Sequence, residues 1–198
     1  MIDITLNPGE HALVGYGSLL SIASMERTLG RAYAGPWHLC RLNGWRRGWD
    51  IQMPRHRSTY RAGDRVITPE RVLYLNLRRQ EGSHVNGALF VIAAPDLARF
   101  DEREWIYRRE NVNGDLHDVR VTGGIAWTYV ALDEYLWRKP SRPPEAIIRR
   151  TYLDILDRAH EELGDEFRKE YEATTDEAPA HLVVDDLPAA EGNVTVTS

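Results

Sequence analysis

Apolar residues fall in short runs over roughly the first two thirds of the chain and take up a helical rhythm after residue 145. The run from His11 to Tyr16, closed by Gly17 and Ser18, predicts a buried strand ending in a turn. Ser21 or Ser24 is placed to cap a short helix over residues 23–29, which Gly30 stops. Residues 37–49 predict strand, interrupted at Asn43 and Gly44. Residues 52–71, rich in turn formers and without period, predict an exposed loop. Residues 72–77 and 85–92 predict two strands joined through Glu81, Gly82 and Ser83. Pro95 then opens a helix that reaches Tyr107, at a first-turn position where proline loses no hydrogen bond.

Three more strands are predicted over residues 108–112, 116–121 and 125–130. Asn113 and Gly114 predict a two-residue hairpin between the first two, and Gly123 with Gly124 separates the next pair. The prolines of residues 140–144 make a stiff connector. From Glu145 onward, Ile148, Tyr152, Ile155, Leu156, Ala159 and Leu163 form an amphipathic stripe ended by Gly164, and Asp165 is placed to cap a second helix through Tyr171. Leu182, Val183 and Val184 predict a docked edge strand in an otherwise polar, acidic tail. Strands, one helix, more strands and terminal helices describe an α+β domain whose sheet is mostly antiparallel and can close into a barrel.

Glu104 interrupts this pattern. Leu97, Phe100 and Tyr107 share one helical stripe, and Glu104 falls inside it, seven residues after Leu97. A carboxylate facing an apolar interior has a raised pKa and exchanges a proton near neutral pH. One that bends outward from a last turn is an ordinary solvated acid. Helix geometry leaves both open.

A chain of 198 residues suits one domain with a real core. No apolar run reaches membrane-spanning length, and the first residues lack a basic segment followed by an apolar one. The lone Cys40 cannot form an internal disulfide or a CxxC metal site, so a cytoplasmic protein without membrane association is expected. The net charge of −5 hides an asymmetry: residues 41–79 hold ten arginines against three acids, and residues 154–192 hold thirteen acids against three bases. A basic half can bind nucleic acid. The arginines alternate with aromatics, however, which favours packing against the acidic half, within the chain or across a dimer. No nucleic-acid partner is expected, and the charges permit a monomer or a homodimer.

The scattered histidines have no metal-ligand spacing, and no metal is expected. Ser18 is not in a GxSxG elbow, and Leu20 stands where a dinucleotide loop needs its third glycine. The stretch Gly15-Tyr16-Gly17-Ser18 has another property. Glycines flanking a tyrosine at a strand end let the backbone turn sharply and leave amides free to bind a carboxylate or an oxyanion. An ordinary tight turn fits equally well.

The two features occur together in one known family. Tyr16-Gly17-Ser18-Leu19 resembles the YGSL signature of γ-glutamylcyclotransferase-like proteins, which include ChaC-type and AIG2-like branches. The segment Phe100-Asp101-Glu102-Arg103-Glu104, followed by Tyr107-Arg108-Arg109, resembles that family's LDxRE…YxR segment. Asn43-Gly44-Trp45-Arg46-Arg47-Gly48-Trp49 and Val85-Asn86-Gly87-Ala88-Leu89-Phe90 resemble its glycine–aromatic–arginine and glycine-containing strands. The likeness runs from about residue 11 to about residue 130. Phe100 replaces a leucine, YGSLL lacks the aromatic that often follows, and Glu104 lies one residue closer to Tyr107 than in ChaC-type sequences. These departures bear on the substrate more than on the reaction.

The resemblance implies a small mixed β-barrel with flanking helices, a catalytic domain over residues 1–139, and a helical, acidic extension over residues 140–198 packed on it. It implies cleavage of a small-molecule γ-glutamyl amide to 5-oxoproline and a free amine, without cofactor. Glu104 matches the acid–base, and Tyr16, Gly17, Ser18 and Leu19 match the substrate loop. Tyr107 is expected as a wall or hydrogen-bond donor, and Arg46 or Arg108 as an attractor of substrate carboxylates. A catalytically silent small-molecule-binding module on the same fold is the alternative.

Overall fold

The computed structural model describes residues 1–54, 59–62, 64–138 and 145–186. Strand β1 (Ile2–Thr5) is followed by β2 (Glu10–Gly15), whose last four residues are buried. A single helical turn over Ser18–Leu20 leads into α1 (Ile22–Leu29), closed by Gly30 in the left-handed conformation. Ser21 holds the N-cap position, but its side chain makes no capping bond. Strand β3 (Trp37–Pro54) is continuous, because Gly44, at φ 78°, absorbs the expected break as a bulge. Where an exposed loop was expected, β4 (Tyr60–Ala62) and β5 (Arg65–Ile67) form a hairpin. Burial of Tyr60 against Val72, Ile147 and Val184 holds it, a tertiary contact that the aperiodic sequence does not announce. Residues 55–58 and 63 of that stretch, the connector at 140–144 and the end of the tail lie outside the described residues.

Strand β6 (Arg71–Ala93) merges the two strands expected there, with Gly82 at φ 75° bulging where a turn was predicted. Helix α2 (Ala94–Arg103) stops four residues early. Tyr107 belongs instead to β7 (Tyr107–Asn111), because its ladder with a later strand outcompetes another helical turn. Then come β8 (Val119–Thr122) and β9 (Ala126–Ala131). Asn113 and Gly114 do not turn β7 onto β8. Strand β7 pairs antiparallel with β9, and β8 pairs parallel with β1. The Asn113 side chain closes that connection, donating to the Gly124 carbonyl and accepting from the Ala126 amide. The stripe after Glu145 begins as β10 (Ala146–Arg149), where Ile147 and Ile148 are fully buried, and only then becomes α3 (Arg150–Leu163). Gly164, rather than Asp165, caps α4 (Asp165–Ala173). Strand β11 (Val183–Asp186) is paired on both sides, between β10 and β4.

The main sheet runs β5-β4-β11-β10-β6-β2-β9-β7, with β3 also on β6. It is mixed and open. The α+β class holds, but among the described residues the expected closure into a barrel does not occur, since β5 and β7 end the path without pairing with each other. Strand β3 occupies one edge of β6 from Arg71 to Phe90. On the other edge, β10 pairs at Arg71 and Val72 and β2 pairs at Ala88–Ala93. Between them, among the described residues, positions 73–87 of β6 face no strand on that edge.

Tyr152, Leu156, Ala159, Phe167 and Tyr171 of α3 and α4 join the main core. The acidic C-terminal part lies on the arginine-rich strands within the same chain. Arg46 and Arg78 both pair with Asp176, at 2.8 and 2.5 Å, and Arg41 pairs with Glu170. No helix among the described residues is long and apolar enough to cross a membrane.

His160 of α3 lies against Tyr171 with ring centroids 4.3 Å apart, and among the described residues neither ring nitrogen finds a partner. Burial, helped by the positive charge of Arg168, lowers its pKa from 6.5 to about 4. The unfolded chain therefore takes up this proton near pH 6.5 and the folded chain only near pH 4, so stability falls as pH drops through that window. His160→Phe keeps the aromatic contact and removes the two unsatisfied nitrogens. Its urea midpoint is expected to fall less than the wild type's between pH 7.5 and pH 5; equal falls would contradict this.

Candidate active site

The open edge of β6 is covered by side chains. Tyr107 Oη donates to the Leu75 carbonyl at 2.9 Å, Tyr152 is hydrogen-bonded to the Leu75 backbone, and Asn76 Oδ1 accepts from the Ala131 amide at 2.9 Å. A narrow cleft opens there. Its walls bring together the expected acid, the substrate-loop residues and the expected tyrosine: Glu104, Tyr16, Gly17, Ser18, Leu19 and Tyr107. Tyr129, Tyr152 and Leu75 complete it.

The turn after β2 is shaped by close packing. A Cβ on Gly15 would lie 2.5 Å from the Leu19 carbonyl oxygen, and one on Gly17 would lie 2.9 Å from Tyr152 Oη. At Gly15 the obstacle is backbone and only glycine fits, whereas at Gly17 a side chain would displace the Tyr152 hydroxyl. The Leu20 and Ser21 amides bond back to Gly17 and Ser18 carbonyls, which leaves the amides of Gly17, Ser18 and Leu19 without a protein partner among the described residues. The turn that sequence left ambiguous thus presents three free donors at the cleft.

Glu104 ends α2 as its C-cap residue and does not continue the helix. Its amide bonds the Phe100 carbonyl and its own carbonyl accepts from Tyr107, which turns the chain into β7. The side chain is only 14% exposed, so it faces the cleft and not bulk water. Burial raises its pKa above the ordinary value. The Arg103 guanidinium, 3.0 Å away, opposes this and is outweighed. The negative end of the α2 dipole acts in the same direction as burial.

Arg103 had no role assigned from sequence, yet it organises the site. Besides meeting Glu104, it donates to Ser18 Oγ at 2.9 Å, Ser24 Oγ at 2.8 Å, Thr28 Oγ1 at 2.7 Å and the Ser24 carbonyl at 3.1 Å. One guanidinium therefore ties the acid to the turn and to α1. Asp101, two residues earlier, accepts from Tyr129 Oη at 2.8 Å and meets Arg109 at 3.1 Å, which fixes a cleft wall. Phe100, fully buried, anchors the segment. Alternate charged residues around a core phenylalanine were the available signal for these roles. Tyr152 was read as part of a core stripe, and only its hydroxyl hinted at more. Arg46 and Arg108 do not line the cleft; Arg46 holds Asp176 and Arg108 donates to the Ala131 carbonyl.

A second hollow continues from the cleft, sharing Ser18, Glu104, Tyr107 and Tyr152 with it. Met53, Tyr74, Ile106 and Ile155 give it apolar walls, and Arg27 stands at its side. Among the described residues, no group of three or more His, Cys, Asp or Glu side chains is arranged to hold a metal ion.

No family model matches this chain, and no curated protein matches it by sequence. Solved structures do match. One is described as a gamma-glutamyl cyclotransferase, with a TM-score of 0.55 and 14% identity, covering 86% of this chain and 92% of that one. The chain has the γ-glutamylcyclotransferase fold. The human uncharacterized protein loc79017 shares it at a TM-score of 0.54 and 14% identity, with 95% of each chain covered. YkqA from Bacillus subtilis is similar at a TM-score of 0.52 and 16% identity, over 83% of this chain and 54% of YkqA. At such identity the likeness to γ-glutamylcyclotransferase establishes architecture, and chemistry must come from the residues.

Because ionised Glu104 is disfavoured by burial, the folded state holds this proton to a higher pH than the unfolded chain does. Stability therefore falls as pH rises through that window. Glu104→Gln is expected to have a Tm at or above wild type at pH 7, with the difference shrinking toward pH 4. A variant clearly less stable at pH 7 would contradict this.

Proposed function

We propose that the protein is a γ-glutamyl cyclotransferase, releasing 5-oxoproline and a free amine from a γ-glutamyl amide. One observation carries this reading: a buried carboxylate of raised pKa and a turn with three free amides share one cleft, joined through Arg103.

A γ-glutamyl amide carries its own nucleophile. Folding the chain so that its α-amine meets its γ-carbonyl makes the attack intramolecular, and the cleft's task is to hold that conformer. Ionised Glu104 takes a proton from the α-ammonium. The freed amine attacks the γ-carbonyl carbon, a C–N bond closes the five-membered ring, and the carbonyl oxygen becomes an oxyanion. The Gly17, Ser18 and Leu19 amides bind either that oxygen or the substrate α-carboxylate. Collapse breaks the original amide bond, and Glu104 returns its proton to the departing nitrogen. The ring nitrogen gives up its second proton as it becomes an amide, and the released amine takes it up and leaves as an ammonium ion, so the proton count balances with one carboxylate and no cofactor. A raised pKa suits both steps, since it strengthens the base while keeping the acid form within reach of neutral pH.

Residues 1–139 would form the catalytic domain, with the C-terminal segment contributing Tyr152 to the cleft. The departing amine would lie in the apolar hollow beside Met53, Tyr74, Ile106 and Ile155. Cys40, buried and with its thiol pushed up to about 12 by desolvation, takes no part and fits a cytoplasmic enzyme.

The decisive assay is 5-oxoproline release from a panel of γ-glutamyl amides. Apolar and aromatic amines are expected to leave faster than polyamines, for which the hollow holds, among the described residues, no counter-charge beyond Glu104 itself. Glu104→Gln is expected to lower kcat by at least about 10²-fold while the fold survives. Wild-type kcat/KM should rise with pH through an inflection above the usual glutamate range. Turnover by the glutamine variant at the wild-type rate would sink the assignment. A wild type that binds 5-oxoproline but turns over no member of the panel would mark a silent binding module.

A further inference from the structure

Behind the cleft lies an arginine that the proposed chemistry does not use. Arg47 is fully buried and, among the described residues, forms no salt bridge. Its guanidinium donates to Thr175 Oγ1 at 2.6 Å, to the Tyr171 carbonyl at 3.3 Å and to both oxygens of Asn86. It also lies over the Tyr171 ring, 3.6 Å from the centroid. Asn86 in turn donates to the Phe167 carbonyl at 2.8 Å. A buried cation held this way needs a compensating set of acceptors, and here that set fastens α4 to β3 and β6 around Tyr171.

Tyr171 is itself buried, and its hydroxyl donates to the Tyr16 carbonyl at 3.1 Å. That carbonyl belongs to the same peptide unit as the Gly17 N–H. In a trans peptide the C=O and N–H bonds point in opposite directions, so fixing one fixes the other. Gly17 lines the cleft, and its amide has no partner among the described residues. A hydrogen bond to the carbonyl also polarises the peptide and strengthens its N–H as a donor. The Arg47 cation over the phenol ring draws electron density from Tyr171 and makes its hydroxyl the better donor.

We propose that Tyr171, from the C-terminal helix α4 and held by buried Arg47, is a positioning residue that aims and strengthens the Gly17 amide toward the substrate. What that amide grips rests on the cyclotransferase reading; the orientation of the peptide does not. The C-terminal segment thereby acquires a task in the site beyond covering the core.

Tyr171→Phe removes only the hydroxyl and leaves the ring on Arg47 and His160. The Gly17 amide resonance in a ¹H–¹⁵N spectrum is expected to move upfield in proton shift, as a weakened donor does, while distant amides stay in place. Release of 5-oxoproline should lose about tenfold in kcat/KM, the size of one hydrogen bond, with the pH inflection from Glu104 unmoved. An unmoved Gly17 resonance, or a loss of activity accompanied by a shifted Glu104 inflection, would overturn the proposal. If the wild type releases no 5-oxoproline, the functional reading fails by itself, and the Gly17 resonance alone decides this one. Should the phenylalanine variant not fold, 3-fluorotyrosine at position 171 keeps the hydroxyl and strengthens it as a donor. The same resonance should then move downfield, and no movement would overturn the proposal.

Discussion

The site exists because β6 is longer than the strands that share its second edge. Strand β3 satisfies the first edge over nearly its whole length, while β10 and β2 satisfy only the two ends of the other. Backbone groups left between them cannot stay bare inside a protein. Tyrosine hydroxyls reach the Leu75 carbonyl where a strand would otherwise lie, the Asn76 side chain bridges from β6 to the Ala131 amide of β9, and side chains pack less continuously than a strand. The cleft is the remainder. Its tyrosine-rich lining follows from the same constraint, since a phenol offers an apolar face and a hydrogen-bonding tip in one side chain.

Across that gap, Arg103 supplies the dimension that matters for chemistry. Glu104 sits at a helix end and the free amides sit at a strand end, on elements that do not pair with each other. A single planar guanidinium meets the acid, the turn and α1 together, which sets their separation more firmly than loop packing would. The arrangement also explains how Glu104 keeps a raised pKa next to a cation. Arg103 divides its charge among several hydroxyl and carbonyl acceptors, so the carboxylate receives only part of its stabilisation while bearing the full cost of burial.

Much of this was legible in the sequence, and the failures share one physical origin. The turn after β2, the helix carrying the acidic segment and the acid itself were readable from local pattern, because glycines and an out-of-place carboxylate declare themselves within a few residues. The strand bulges at Gly44 and Gly82 were mistaken for an interruption and a turn, since a left-handed glycine looks the same in sequence whether the ladder continues past it or not. Asn113 and Gly114 misled for a related reason: the hairpin they suggest lost to the pairing of β7 with β9. The β4–β5 hairpin depends on Tyr60 meeting residues far along the chain, and no local rule sees that. Arg103 and Tyr171 belong to the same class, since each acts through partners on other elements.

The arginine-rich strands show how tertiary structure changes what a composition means. Ten arginines within 39 residues read in isolation as a surface for polyanions. In the fold, Arg41, Arg46 and Arg78 meet the acids of α4 and the segment after it, and Arg47 is taken out of solvent altogether. The acidic C-terminal part is therefore the counter-charge that allows a basic β3 to be half-buried, and its docking brings Tyr171 to the back of the turn after β2. Charge complementarity sets where α4 lies, the buried cation sets how Tyr171 is oriented, and the orientation of Tyr171 sets one peptide at the cleft. Each step is an ordinary interaction. Together they connect a long-range charge asymmetry in the sequence to the aim of a single amide.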